Sequence, residues 1–286
     1  MKIKIWGCRG SLATPGEQTL RYGGNTTCVE VLTKDGRMII LDAGSGLCGL
    51  GRTLMAERKS AHVSMLLTHA HWDHLCGFPF FDPAYSPEFR ITLCGGPDPK
   101  HSLREYLGRQ MEPPFFPVPF DQLRAQIDFG CECGRPCGGR IAAMDHGPIC
   151  KSVPLNHPNG GFGFKLQADG GTFVFLPDNE LGFHHEDGPG FTEFVDFCRG
   201  ADLLFHDAQY TDAEYEKNRG WGHSSYADTL RMASEAGVTR LGLFHHDPTR
   251  TDDDLDRQVE WCRHQLRKAG SSVDCFACAE GMVIDL

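Results

Sequence analysis

Thr68-His69-Ala70-His71-Trp72-Asp73-His74 places three histidines and an aspartate within six consecutive positions. The run before it, His62-Val63-Ser64-Met65-Leu66-Leu67, is mostly apolar and reads as a buried strand. The run after it, Leu75-Cys76-Gly77-Phe78-Pro79-Phe80-Phe81, is apolar but broken by Gly and Pro. The cluster therefore sits at the mouth of a strand, on a loop that turns into a short helix. Such a loop aims several side chains at one point. Imidazole and carboxylate are ligands that suit zinc, iron and manganese. Four groups at this density would repel one another when protonated unless a metal organised them.

Working outward, the chain of 286 residues is 40% hydrophobic, enough for a large core in a single α/β domain over residues 1–286. No run of about 18 apolar residues is present, so no membrane span is expected. Met1 to Gly7 is too short for a signal peptide and reads as a first strand. The net charge of −10 argues against gripping a long nucleic-acid backbone, though not against a small phosphorylated substrate facing metal ions. Thirteen cysteines, mostly in apolar segments, read as reduced thiols of a cytoplasmic protein.

Hairpin strands are expected over Thr26–Thr33 and Arg37–Leu41, joined at Lys34-Asp35-Gly36. A helix follows from about Leu47 to Lys59, then the strand into the metal loop, a strand over Phe89–Cys94 and a helix over Pro99–Met111. The Pro- and Phe-rich stretch Glu112–Phe120 is a rigid loop, either packed on the surface or walling a substrate entrance. Short strands dominate Ala125–Phe175. Helices near Phe191–Cys198, Ser224–Ala236 and Asp252–Lys268 alternate with strands at Ala201–Phe205, Thr239–Phe244, Val273–Phe276 and Met282–Ile284. The order suggests two packed sheets with helices outside, and a doubly wound single sheet competes with it.

More ligand candidates end predicted strands. Val153-Pro154-Leu155-Asn156-His157 ends on a histidine, Phe173-Val174-Phe175-Leu176-Pro177-Asp178 on a carboxylate, and Leu241-Gly242-Leu243-Phe244-His245-His246 on two histidines. With the first cluster, this pattern resembles the metallo-β-lactamase superfamily, whose signature H-x-H-x-D-H is matched by His69 to His74. The resemblance spans roughly Trp6 to Leu286. It implies a four-layer αββα sandwich. It also implies two divalent metal ions, with His69, His71 and His157 on one, Asp73, His74 and His245 on the other, and Asp178 bridging. Two such ions at roughly 3.5–4 Å need an anionic bridge, which Asp178 and a hydroxide provide. Zinc suits the imidazoles, and manganese or iron suits the carboxylates. The apolar run favours His245 over His246 as ligand, leaving His246 as a substrate-side group.

His206-Asp207-Ala208-Gln209 and Gly222-His223-Ser224-Ser225 resemble the H-E-A-T and G-H-S-T elements of the phosphodiesterase branch that includes ribonuclease Z. Asp for Glu and Ser for Thr are departures. The resemblance implies that His223, held by Asp207, protonates a departing alkoxide, while Asp73 orients the nucleophile. The loop Tyr22-Gly23-Gly24-Asn25 also resembles this branch, with Asn25 lining the site. Ribonuclease Z carries a basic arm that grips tRNA, and no insertion here is long and basic enough to be one. The expected substrate is a small nucleotide-like or cyclic phosphodiester. A hydrolase of lactones, thioesters or β-lactams and a non-hydrolytic metal sensor are the alternatives. A homodimer is compatible with the sequence. Cys131, Cys133 and Cys137 form a C-x-C-x3-C run that suits an additional structural zinc, with Cys94, Cys150 or His146 as a fourth ligand.

Overall fold

The computed structural model describes residues 1–57, 61–95, 103–130, 149–186 and 188–286. The first sheet contains β1 (Lys2–Gly7), β2 (Cys28–Leu32), β3 (Met38–Leu41), β4 (Ala61–Leu67), β5 (Phe89–Gly95), β6 (Gln126–Phe129) and β13 (Val283–Asp285), in the order β13-β1-β2-β3-β4-β5-β6. The second contains β7 (Ile149–Pro154), β8 (Phe162–Ala168), β9 (Gly171–Leu176), β10 (Leu203–Asp207), β11 (Arg240–Phe244) and β12 (Asp274–Ala277), in the order β12-β11-β10-β9-β8-β7.

Side chains of period two divide between the faces of each sheet. Ile39 and Leu41 of β3 join Phe173 and Phe175 of β9 and Phe205 of β10 in one buried cluster, which is the seam between the sheets. Met38 and Ile40 point the other way, onto α1 (Leu47–Glu57) and α3 (Leu103–Gln110). Val174, Leu176 and Leu204 likewise face α4 (Phe191–Cys198), α6 (Tyr226–Ala236) and α7 (Asp252–Lys268). The layers are thus helix, sheet, sheet, helix, as expected. The single doubly wound sheet is excluded because the strands form two separate sheets that pack face to face.

Local chemistry explains the helix limits. Thr251 caps α7 through Asp254 N, three aspartates occupy its first turn, and Leu255, Val259, Cys262 and Leu266 form its buried stripe. Gly237 ends α6 in the left-handed region at φ 64°. Two short helices are α2 (Trp72–Leu75), inside the metal loop, and α5 (Asp212–Asn218). The sequence reading missed α5, although Thr211 and Glu214 form its capping box and were a legible signal.

The first strand lies beside the last: Lys2 pairs with Asp285 and Ile3 with Ile284. Arg9, just past β1, is fully buried. Its guanidinium donates to the carbonyls of Gly23, Asp247 and Arg250, at 2.9 Å for Gly23 and Arg250 and 3.2 Å for Asp247. That one side chain ties the β1–β2 connection to the loop between β11 and α7.

Candidate metal centre

Strands β3, β4 and β5 run parallel, as do β9, β10 and β11. Strand β7 is antiparallel to β8, which is antiparallel to β9, so β7 also runs with β9. The residues leaving these strands therefore emerge on one edge of the sandwich, where ligand sites of open α/β sheets lie. His69 follows β4, His157 follows β7, Asp178 follows β9 and His245 follows β11, while Asp207 is the last residue of β10.

Two overlapping cradles result. His69, His71, His157 and Asp178 each offer an atom within 4.8 Å of the others, and so do Asp73, His74, Asp178 and His245. Asp178 belongs to both. Its Oδ1 lies 3.0 Å from His74 Nε2, and its Oδ2 lies 3.3 Å from His245 Nε2, 3.7 Å from His157 Nε2 and 3.8 Å from His69 Nε2. Asp73 Oδ2 approaches His74 Nε2 at 3.2 Å and His245 Nε2 at 3.0 Å, and accepts the Ser11 amide at 2.8 Å.

These residues fit divalent metal ions. His69 Nε2, His74 Nε2 and Asp178 Oδ1 are buried with no hydrogen-bond partner although they crowd together. Buried polar atoms normally find partners, and a cation in each cradle would satisfy these three between them. Burial pushes the His69 and His71 imidazoles down toward the neutral form and carries His157 to about 3. Burial also opposes a proton on His74, but Asp178, Asp73 and Asp42 outweigh it and raise that group well above its ordinary value. Excess negative charge there is what a cation offsets.

The far ring nitrogens are held by groups that the sequence reading did not single out. His74 Nδ1 meets Asp42 Oδ2 at 2.8 Å, His245 Nδ1 meets Gln209 Oε1 at 3.1 Å, and His157 Nδ1 meets the Gly222 carbonyl at 2.8 Å. Such partners fix tautomer and ring orientation. Asp42 leaves β3 at φ 60° and also accepts Thr68 N at 2.7 Å and Thr68 Oγ1 at 2.8 Å, so it braces the metal loop from a neighbouring strand. Gly222, at φ 93°, has to be glycine: a Cβ would lie 2.1 Å from His157 Nδ1.

Glu180 holds that glycine turn. It is fully buried. Oε1 accepts Tyr215 Oη and Gly220 N, and Oε2 accepts Gly222 N, each at 2.7 Å, while His185 Nε2 lies 2.8 Å from Oε2. Glu180→Gln sets an amide N–H against two of these donors. The expected loss is about 2–3 kcal/mol, a fall in Tm of roughly 5–10 °C, with weaker metal retention on the His157 side. Thermal melting and metal analysis check it, and an unchanged Tm would count against the clamp.

His223 Nδ1 lies 2.6 Å from Asp207 Oδ2 and 4.0 Å from Asp178 Oδ2, and its ring stacks on His245 at 4.9 Å. Burial disfavours its charge, but Asp207 prevails and lifts it to about 9. Burial raises the Asp207 carboxyl as well. Beside them, His206 is fully buried. Asn156 N donates to Asn179 Oδ1 at 3.0 Å, which turns the Asn179 amide nitrogen toward His206 Nε2 at 3.2 Å. His206 Nδ1 then donates to the Asp207 carbonyl at 2.6 Å.

Burial lowers His206 to about 4, so the unfolded chain takes up its proton first as pH falls. The stability that neutral His206 contributes is complete above its unfolded value and is lost from about pH 6.5 toward 4. At pH 5 the loss is about 2 kcal/mol. Urea unfolding at pH 7 and pH 5 should show the acid sensitivity shrinking by that amount in His206→Gln. An equal sensitivity in both proteins would sink this account.

With the geometry in place, the chain can be set beside known proteins. A family model described as Beta-lactamase superfamily domain matches residues 37–246. The chain belongs to this superfamily. Its sequence relatives include Ribonuclease Z of Haloferax volcanii, 25% identical over 260 residues, covering 75% of this chain and 77% of that protein. Ribonuclease Z of Thermoplasma volcanium is 43% identical over 83 residues, 29% of this chain and 26% of the relative. The metallo-beta-lactamase fold protein YhfI from Bacillus subtilis superposes with a TM-score of 0.69 at 18% identity, covering 99% of each chain. The relatives set the chain in the ribonuclease Z-like branch of the metallo-β-lactamase fold.

Two further residues singled out in the sequence make internal hydrogen bonds. Asn25 does not offer its amide to the metal cleft. Its Nδ2 donates to Glu280 at 2.9 Å and its Oδ1 accepts from Ser45 at 3.0 Å, so both polar ends are used in joining loops. His246 is fully buried, with Nε2 2.9 Å from the Cys278 carbonyl. The backbone at His245 is in the left-handed region, φ 56°, and the two neighbouring rings leave β11 for different surroundings. Cys131, Cys133 and Cys137, with His146, lie outside the described residues, whereas Cys94 and Cys150 are buried thiols.

Proposed function

We propose that the protein is a two-metal hydrolase of small phosphodiesters. The observation that carries this reading is the buried Asp207–His223 pair, set beside Asp178 and stacked on His245. Hydrolysis of an activated acyl bond needs no such pair, whereas expelling an alkoxide from phosphorus needs a proton at the leaving oxygen.

In this reading His69, His71 and His157 hold one divalent ion, Asp73, His74 and His245 hold the second, and Asp178 serves both. The imidazole-rich donors favour zinc, and manganese or iron accepts the same set. When bound, the ions supply Lewis acidity and an activated water as nucleophile. The chain's own residues orient and exchange protons. Ser11 N and His245 fix the Asp73 carboxylate, which aligns the nucleophile. Asp207 pins His223 Nδ1, so the acidic proton delivered to the leaving oxygen is the one on Nε2.

Small substrates are favoured over folded RNA by the net charge of −10. Among the described residues no helix is long and apolar enough to cross a membrane. The ten described cysteines are free thiols, and we place the protein in the reducing cytoplasm. The test is turnover by metal-loaded protein of cyclic nucleotides, dinucleotides and a precursor tRNA. Cleavage of the tRNA alone overturns the small-substrate reading, and turnover of lactones or thioesters alone overturns the phosphodiester.

A further inference from the structure

A cavity of about 280 Å³ opens beside the metal loop. Ala70 and Trp72 line it from the loop, Tyr106, Arg109 and Gln110 line it from α3, and Phe115 closes it from the Pro-rich segment. Ala70 and Trp72 flank His71, which is only half-buried whereas the other candidate ligands are buried. The cavity thus lies along the loop that carries His71. Trp72 and Phe115 leave 71% and 75% of their surface in water. Phe116 packs edge-on against Phe80 at 5.4 Å and holds the segment that carries Phe115.

We propose that this cavity binds the nucleobase of the substrate, stacked against Trp72 and Phe115 with Arg109 and Gln110 at its edge. This rests on the phosphodiesterase reading and narrows it to nucleotide esters. Exposed indole and phenyl faces gain most from a flat ring, and stacking tolerates any base. A guanidinium and a carboxamide suit the donors and acceptors of a base edge, and an alkyl chain has no use for them. Arg109 is held by Glu105 at 2.6 Å in an exposed ion pair, which is cheap to rearrange. The volume lies just below the usual range of ligand cavities and fits one base rather than a strand.

The test compares AMP with ribose 5-phosphate, binding to the metal-loaded protein by calorimetry. AMP is expected to bind at least about tenfold more tightly. Trp72→Ala and Phe115→Ala should each bring AMP close to ribose 5-phosphate, with metal content measured alongside. Phe115 lies outside the metal loop and its ring is exposed, so its variant isolates stacking from ligand geometry. Equal affinities in the wild type, or an undiminished preference in the Phe115 variant, overturn the proposal. So does hexyl phosphate binding as tightly as AMP, which would make the cavity an alkyl groove. If the base preference holds while no phosphodiester is hydrolysed, the subsite stands and the hydrolase reading falls. Hydrolysis without base preference sinks only the subsite.

Discussion

His223→Ala is expected to lower turnover of a dinucleotide or cyclic phosphodiester about 10²–10⁴-fold, the usual worth of a positioned general acid, while both metal ions remain bound. The leaving oxygen decides the size of the effect. A nucleoside alkoxide cannot depart without a proton, whereas nitrophenolate leaves unprotonated near neutral pH. The same variant should therefore lose far less on a nitrophenyl ester. Asp207→Asn should reproduce the pattern more weakly, because the amide still holds the ring but no longer favours its charge. Equal losses on both esters would show that His223 shapes the site without delivering a proton. Rates on the paired substrates, with metal content measured in parallel, decide the matter.

Chelation, or Asp178→Asn, is expected to abolish turnover and lower Tm by roughly 10 °C. Asp42, Asp73, Asp178 and Asp207 are all buried around one cleft, with imidazoles as their close partners there. Divalent ions offset that charge, and binding at a thousandfold over Kd contributes about 4 kcal/mol. At 2–4 °C per kcal/mol for a chain of roughly this size, a shift of that order follows. Re-adding zinc should restore both properties to the chelated wild type but not to the variant. A Tm indifferent to chelator would remove the structural half of the claim, and activity surviving chelation would remove the chemical half.

The sequence reveals most where geometry is local and periodic. Ile39 and Leu41 alternate with Met38 and Ile40, so β3 is legible with both faces buried. His69 to His74 are legible because few residue types ligate metals and they sit at a strand's exit. Asp42 and Glu180 are illegible for the opposite reason. Each acts by accepting backbone hydrogen bonds from as far as 26 or 42 positions away in sequence, and a lone acid at a turn looks like any solvated acid. Asn25 and His246 are ambiguous in sequence because a polar side chain beside a ligand serves equally well as an internal hydrogen-bond partner.

Arg9 also sets a timetable. Its guanidinium bonds to the Asp247 carbonyl across 238 positions, and β1 finds its second neighbour only in β13. A ribosome adding 5–20 residues per second needs roughly 10–50 s to cover that separation. Within that interval His69 to His74 emerge well before His245, which follows His74 by 171 positions. Under the proposed two-metal reading, the early histidines are available to an ion in an open, half-made form. Full coordination would come only with the last strands, so translation itself would separate loose capture of an ion from its final enclosure.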